Sequence, residues 1–154
     1  SLVAPYINHA SERRKNRAAV MQSIIQVEAD RWAGRDGASF IEFQRSTVNL
    51  KATAMVAGGI DPRIVNEYIR VAKVARRASD NDVAKTDEDD VFAGGIASSL
   101  SDLVSDSAED LISYVASPYW RRHFRNRTLD MMKKAATRFQ RTNDGKLLPK
   151  EWWK

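Results

Sequence analysis

The spacing of the apolar residues is the feature of this chain that most constrains its fold. Between the glycine and proline positions, apolar side chains recur at intervals of three and four residues, and no stretch alternates apolar and polar residues as a strand does. Such spacing places the apolar side chains of each segment on one face of a helix. The sequence therefore predicts an all-α protein, a compact bundle of five or six helices around a single core.

Capping residues and breaks set the predicted boundaries. Asp61-Pro62, for example, combines a good N-cap with the residue best suited to the first helical position, and Gly58-Gly59 before it ends the preceding helix. The predicted helices span 11–32, 39–57, 61–77, 96–116 and 117–141. The rest is predicted as a flexible arm (1–10), a mobile acidic linker between the third and fourth helices (79–95) and a C-terminal tail (143–154). We expect the 154 residues to form a single domain.

The last long helix, Ser117–Arg141, carries the strongest charge signal. Its predicted apolar stripe is Trp120, Phe124, Thr128, Met131, Ala135 and Phe139, widened by Met132 and Ala136. The cations around it are Arg121, Arg122, Arg125, Arg127, Lys133, Lys134, Arg138 and Arg141, against the single acid Asp130. Cations beside aromatic side chains suit phosphate contact and base stacking, so the segment predicts a surface that binds nucleic acid, either DNA or RNA. The alternatives are a solvated face, an acidic protein partner, or the chain's own residues 79–110.

The charges are sorted into blocks along the chain. The net charge is +5, but residues 79–117 hold one base and ten acids, whereas residues 118–154 hold eleven bases and three acids. This segregation suggests a second function of a different class. The protein would be a self-assembling structural subunit of a virion or filament, in which the acidic residues 79–110 of one copy pair with the basic residues 118–141 of the next. With either function, we expect the protein to form a homo-oligomer.

A sharper local pattern lies at the predicted corner between the second and third helices. After Gly58-Gly59 and Ile60, the third helix would bury Val65, Tyr68 and Ile69. A glycine in the turn followed by buried residues at these offsets resembles a helix-turn-helix motif. The resemblance implies that Arg63, Asn66, Glu67 and Arg70 face outward, where arginine and asparagine could contact guanine and adenine edges. The alternative is a plain helical corner, and Met55 and Gly58 depart from the usual motif.

Arg13, Arg14, Lys15 and Arg17 form a predicted accessory basic patch in the first turns of the first helix. Cations there oppose the helix dipole, which slightly favours an anionic partner over a merely solvated end.

Other functional classes find little support in the residue inventory. The chain has no cysteine and two histidines, and its acidic run Asp87–Asp90 lacks the ligand spacing of a calcium loop. No glycine pattern matches a phosphate-binding loop, and no serine lies in a nucleophile elbow. The sequence therefore predicts a protein that is not an enzyme, with no metal, cofactor, small-molecule substrate or membrane span. The lack of cysteine fits an intracellular protein or a virion component.

Overall fold

A computed structural model of the chain describes the backbone of residues 3–32, 37–85 and 94–154, and the side chains of 9–31, 37–81, 99–117 and 123–154. These residues form α1 (Val3–Trp32), α2 (Gly37–Ala57), α3 (Pro62–Lys85), α4 (Gly94–Ala116), α5 (Pro118–Arg141), the one-turn α6 (Asn143–Lys146) and a 3₁₀ helix (Lys150–Trp153). No strand occurs among them, and their buried apolar side chains form one cluster. The prediction of an all-α bundle is confirmed.

Helix α3 lies at the centre of the bundle and contacts α1, α2, α4, α5 and the 3₁₀ helix. Its side chains at Ile64, Tyr68 and Ala72 are fully buried. The hydroxyl of Tyr68 donates a hydrogen bond to Glu28 Oε1 at 2.7 Å, which satisfies the buried phenol and joins α3 to α1. Because α3 is enclosed on most sides, its position fixes those of the other helices.

Helices α1 and α2 run antiparallel. Ser23 of α1 lies beside Thr53 of α2, with 3.4 Å between their hydroxyl oxygens, while Asp30 accepts a hydrogen bond from Ser46 further along. The core face of α1 is Val20, Ile24 and Val27. Ile25, by contrast, is 53 % exposed, because it lies on the side of the helix opposite Val20 and Val27.

The corner between α2 and α3 depends on two glycines. Gly58 and Gly59 both adopt left-handed backbone conformations, with φ of 69° and 67°. Residues with a Cβ adopt these conformations only with strain. Asp61 then caps α3, because its Oδ1 accepts a hydrogen bond from the backbone N–H of Arg63 at 3.0 Å. The predicted break and cap are both confirmed here.

Three predicted boundaries are corrected. The expected arm is helical from Val3 onward, since Pro5 falls in the first turn, where a missing N–H costs nothing. Helix α3 continues past Arg77 to Lys85, and α4 begins at Gly94, so much of the predicted linker is helical. Arg76 supports this extension by pairing with Asp80 one turn later, at 3.3 Å. The rest of the predicted linker, residues 86–93, lies outside the described residues.

Helix α5 packs on the core by a different stripe from the predicted one. Its buried side chains are Leu129, Met132, Ala136 and Phe139, whereas Met131 is 45 % exposed. Met132, Ala136 and Phe139 belong to both stripes, but the observed one buries Leu129 in place of Thr128 and Met131. Leu129 offers more apolar surface to the core than Thr128 does. Of the predicted aromatics, Phe139 is buried, Phe124 is half-buried, and the side chain of Trp120 lies outside the described residues.

The predicted C-terminal tail folds back onto the bundle. Gly145 of α6 packs so closely on α5 that an added Cβ would lie 2.0 Å from the carbonyl oxygen of Phe139. Further on, Trp153 is buried, with its ring 6.0 Å from that of Phe139. The tail thus becomes part of the surface beside α3. None of the described helices combines the length and apolar character required to cross a membrane.

Candidate nucleic-acid interface

The outer face of α5 presents a row of cations. The side chains of Arg125, Arg127, Lys133, Lys134, Arg138 and Arg141 are all exposed, as predicted, while those of Arg121 and Arg122 lie outside the described residues. Helical spacing places Arg127, Lys134, Arg138 and Arg141 on one side, opposite the buried stripe. At 1.5 Å per residue this row is about 21 Å long.

These cations have few acidic neighbours. Within the described residues, Lys134 is the α5 cation that forms an ion pair, with 2.9 Å between its Nζ and Asp130 Oδ2. Both side chains of that pair are more than 60 % exposed, so water screens it and its contribution to stability is small. The four arginines at 125, 127, 138 and 141 have no ion pair in the same set of residues. Their charge is therefore available to an external anion.

Arg63, at the corner between α2 and α3, is exposed but bound to neighbouring side chains of the same chain. Its Nη2 lies 2.7 Å from Asp61 Oδ2 and 3.1 Å from Asn126 Oδ1 of α5. Hydrogen bonds from Arg63 hold the pKa of the Asp61 carboxyl below its ordinary value, against the opposing effect of burial. These contacts bring the corner and the first half of α5 together, but they also hold the guanidinium that was predicted to contact bases.

The predicted outward face of α3 is corrected at Glu67. This side chain is buried and paired with Arg70, which neutralises the carboxylate and makes its burial possible. Arg70 is itself half-buried, since it donates to the backbone oxygen of Trp153 at 2.6 Å and lies over the indole ring. Asn66 remains exposed, and Val65, Tyr68 and Ile69 are buried as the motif predicted.

The surroundings of α3 differ from those of a helix that enters a DNA groove. A recognition helix must project from its domain, because the major groove is about 12 Å wide and a helix with its side chains nearly fills it. Here α1, α2, α4 and α5 all pack against α3. Asn66 can therefore reach outward only through a narrow exposed strip of the helix.

The accessory patch on α1 is separate from the basic helix. Arg13, Arg14 and Lys15 are exposed and Arg17 is half-buried. In the described part of the chain α1 makes no helix contact with α5. The two predicted basic sites therefore do not form one continuous surface through direct packing.

A second cationic site lies where α2, α3 and the 3₁₀ helix meet, and it was not predicted. This basic groove has a volume of about 430 Å³ and is lined by Lys51, Asn66, Ile69, Arg70, Lys73, Arg77, Glu151, Trp152 and Lys154. Burial, followed by repulsion from Lys51 and Arg77, lowers the pKa of Lys73. The sequence held a signal for it, because Asn66, Arg70, Lys73 and Arg77 recur at helical spacing along α3.

An apolar pocket adjoins the basic groove. It has a volume of about 500 Å³ and is lined by Lys51, Ala54, Met55, Gly58, Gly59, Ile60, Pro62, Val65 and Asn66. Lys51 and Asn66 line both the apolar pocket and the basic groove, so the two are neighbours. Gly58 and Gly59 line the apolar pocket.

Most acidic residues of α4 lie on its exposed side. Asp102, Asp106 and Glu109 are exposed, and no ion pair joins them to α5 among the described residues, although the two helices are in contact. Asp110 is half-buried, and its pKa is raised by burial and by the charges of Asp106 and Glu109. No group of three or more His, Cys, Asp or Glu side chains in the described residues could hold a metal ion.

Comparison with known proteins does not assign a function to these surfaces. Searches with protein-family models, of curated proteins and of solved structures each found no match to this chain. Its function is therefore inferred from the charges, contacts and exposure of its own residues.

Proposed function

We propose that this protein binds nucleic acid through the outer face of α5, with phosphate contacts as the main source of affinity. The observation that carries the proposal is the exposed row of cations on α5, of which Lys134 alone forms an ion pair within the described residues. Duplex DNA carries one negative charge per about 1.7 Å of its axis, so a straight row of cations about 21 Å long can meet several phosphates at once.

The packing of α5 supports this role. Leu129, Met132 and Phe139 are buried against the bundle, which fixes the helix before any ligand binds. A fixed row of cations loses less conformational entropy on binding than a flexible basic tail would. Base stacking on aromatic side chains, which the sequence suggested, contributes less to binding on this face than phosphate contacts do, because Phe139 is buried and Phe124 is half-buried.

The helix-turn-helix-like corner is the candidate element for specificity, and its contribution is limited. Arg63 and Arg70 are held by carboxylates of the same chain, and Glu67 is buried. Asn66 is the member of the predicted set that stays exposed without a hydrogen bond among the described residues. We therefore expect affinity that depends strongly on salt and weakly on base sequence.

The test compares two triple variants that remove the same charge. Changing Arg127, Arg138 and Arg141 to Gln should lower the affinity for a duplex of about 20 base pairs by roughly two to three orders of magnitude near 50 mM salt. The slope of log K against log salt should also become shallower by about 2–3, because each lost phosphate contact removes about 0.9. The matched control changes Arg13, Arg14 and Lys15 of α1 to Gln and should cost less than about tenfold.

Equal losses from the two triple variants would contradict the proposal, since binding would then follow net charge rather than the α5 surface. Duplex DNA, duplex RNA and single strands of equal length should each be titrated. Thermal unfolding of both variants checks that the substitutions leave the fold intact, as expected for exposed side chains.

The second candidate function is a self-assembling structural protein, and the separation of acids and cations on α4 and α5 favours it. Asp102, Asp106 and Glu109 are exposed without ion pairs to α5 in the described residues, so both charged faces are available to another copy. A contact between unlike faces would continue from copy to copy as a ring or filament. Sedimentation between about 0.05 and 0.5 M salt, without nucleic acid, tests this, because screening should dissolve the assembly.

A further inference from the structure

The basic groove between α2, α3 and the 3₁₀ helix gathers cations from three separate elements. Lys51 comes from α2, Lys73 and Arg77 from α3, and Lys154 follows the 3₁₀ helix. None of the four forms an ion pair among the described residues. The fold thus brings four positive charges together, with Glu151 as the acid in the lining. The repulsion between these cations opposes folding, and an anion bound in the groove would reduce it.

The groove also has a fixed wall. Arg70 is held in place by Glu67 and by the backbone oxygen of Trp153, and its guanidinium lies 5.7 Å from the centre of the Trp153 ring. The 3₁₀ helix carries two indoles. That of Trp153 is buried, whereas that of Trp152 is half-buried and lines the groove. An aromatic face beside phosphate-binding cations is the arrangement that proteins use for unpaired bases.

We propose that this groove binds a nucleotide unit of single-stranded nucleic acid, with phosphates on Lys51, Lys73 and Arg77 and a base against Trp152. The proposal deepens the proposed function, on which it rests in naming nucleic acid as the ligand, but it concerns a surface separate from the outer face of α5. The volume of about 430 Å³ lies in the range of pockets that hold small ligands.

A strand of nucleic acid fits these features better than an acidic peptide does. A carboxylate peptide could satisfy the cations, but it offers no flat ring to the indole of Trp152. An anion would also offset the repulsion of Lys73 by Lys51 and Arg77, so bound phosphate should raise the pKa of Lys73 toward its ordinary value.

The experiment uses two probes of equal length, an oligothymidylate of about 15 nucleotides and an abasic phosphodiester strand. Changing Lys73 and Arg77 to Gln should weaken both probes by about 10–100-fold near 50 mM salt. Trp152→Leu should weaken the oligothymidylate by about 5–100-fold and leave the abasic strand unchanged, while Trp152→Phe should keep most of the affinity. The matched control for the charge change is Arg45→Gln with Lys146→Gln, which removes two exposed charges from outside the basic groove and α5.

Titration of the Lys73 amine by NMR, with and without oligothymidylate, gives a readout that is independent of affinity. A rise of its pKa on binding is expected. An unchanged pKa would show that no phosphate lies in the groove and would overturn the proposal.

Other outcomes overturn it as well. If the groove variants bind as the control does, or if Trp152→Leu weakens both probes equally, the groove is not a nucleotide site. Equal binding of polyglutamate and oligothymidylate would point to an acidic protein instead. The test is separable from that of the α5 surface: if the α5 triple variant keeps its duplex affinity while the groove variants lose the oligothymidylate, the groove stands and the α5 proposal fails.

Discussion

Helices α3 and α5 are both rich in arginine and lysine, but their cations have opposite surroundings. On α3, Arg63, Arg70 and Arg76 are each paired with an acid of the same helix or of its cap. On α5, the single ion pair in the described residues is that of Lys134, and the arginines project into solvent. The guanidinium groups of Arg63, Arg70 and Arg76 therefore contribute mainly to the fold, whereas those of α5, like that of Arg77 in the basic groove, are available for a partner.

The placement of acids explains this difference. Glu67 and Asp80 lie three and four residues from an arginine of α3, at the spacing at which side chains meet on a helix. Along α5 the acid at that spacing is Asp130, which accounts for the pairing of Lys134. A count of basic residues does not distinguish a structural arginine from a binding one, but the acids one turn away do.

The largest expected effect concerns Arg76, which is 2 % exposed and donates to the backbone oxygen of Asp30 at 3.1 Å. Arg76→Met should lower the free energy of unfolding by about 2–3 kcal/mol, because charged hydrogen bonds between helices are lost. Its exposed neighbour Arg77 is the matched control, and Arg77→Met should change stability by less than about 0.5 kcal/mol. Urea unfolding measures both, and similar small effects would show that the α3 arginines are not structural.

An intermediate effect is expected at Asp61, which caps α3 and holds Arg63. Asp61→Ala should destabilise the protein by about 1–2 kcal/mol at pH 7, whereas Asp61→Asn keeps the cap and loses only the charge. Because the folded pKa of Asp61 is lowered, its charge contributes stability above the ordinary value of 3.8 and loses that contribution as the pH falls through the lower, folded value.

The difference in unfolding free energy between the wild type and Asp61→Asn should therefore shrink below pH 3.8 and stay constant above about pH 5. A difference that persists at low pH would show that the amide disturbs the cap and that the ion pair with Arg63 contributes little.

The smallest effect should come from the exposed pair on α5. Asp130→Asn removes the acid beside Lys134 and should change stability by less than about 0.5 kcal/mol, because the pair is screened by water. The same change should raise the affinity for duplex DNA by about two- to fivefold at low salt, since one more cation faces the phosphates. Unchanged affinity would mean that Lys134 lies outside the contact surface.

Local patterns predicted much of the fold. The left-handed stop at Gly58-Gly59 and the cap at Asp61 follow from backbone preferences of a few residues, and both were found. The predictions were wrong where the local sequence supported two different structures about equally well. On α5 two overlapping stripes had helical spacing, and tertiary packing selected the one containing Leu129. In α3 the pair between Arg76 and Asp80 extends the helix through a segment that charge alone suggested was a linker.

The exposure of Arg127, Lys134, Arg138 and Arg141 was predictable, because helical spacing places them opposite the apolar stripe. The hydrogen bond from Arg70 to the backbone of Trp153 was not predictable, because the two residues are far apart along the chain, although the pair of Arg70 with Glu67 has helical spacing. The basic groove was missed for the same reason: its cations on α3 share a helical face, but Lys51 and Trp152 join them only through tertiary packing.

The burial of Arg76 has a consequence for how the protein opens. Its guanidinium bonds to the end of α1 through Asp30 and lies 5.9 Å from the ring of Phe43 on α2, so one side chain of α3 links three helices. Separating the α1–α2 pair from α3 would break both of these contacts at once and expose the apolar surface around them to water. We therefore expect these three helices to open as one cooperative unit, whose slowest-exchanging amides lie in the central turns around Arg76, Phe43 and Asp30 and share a single free energy of opening.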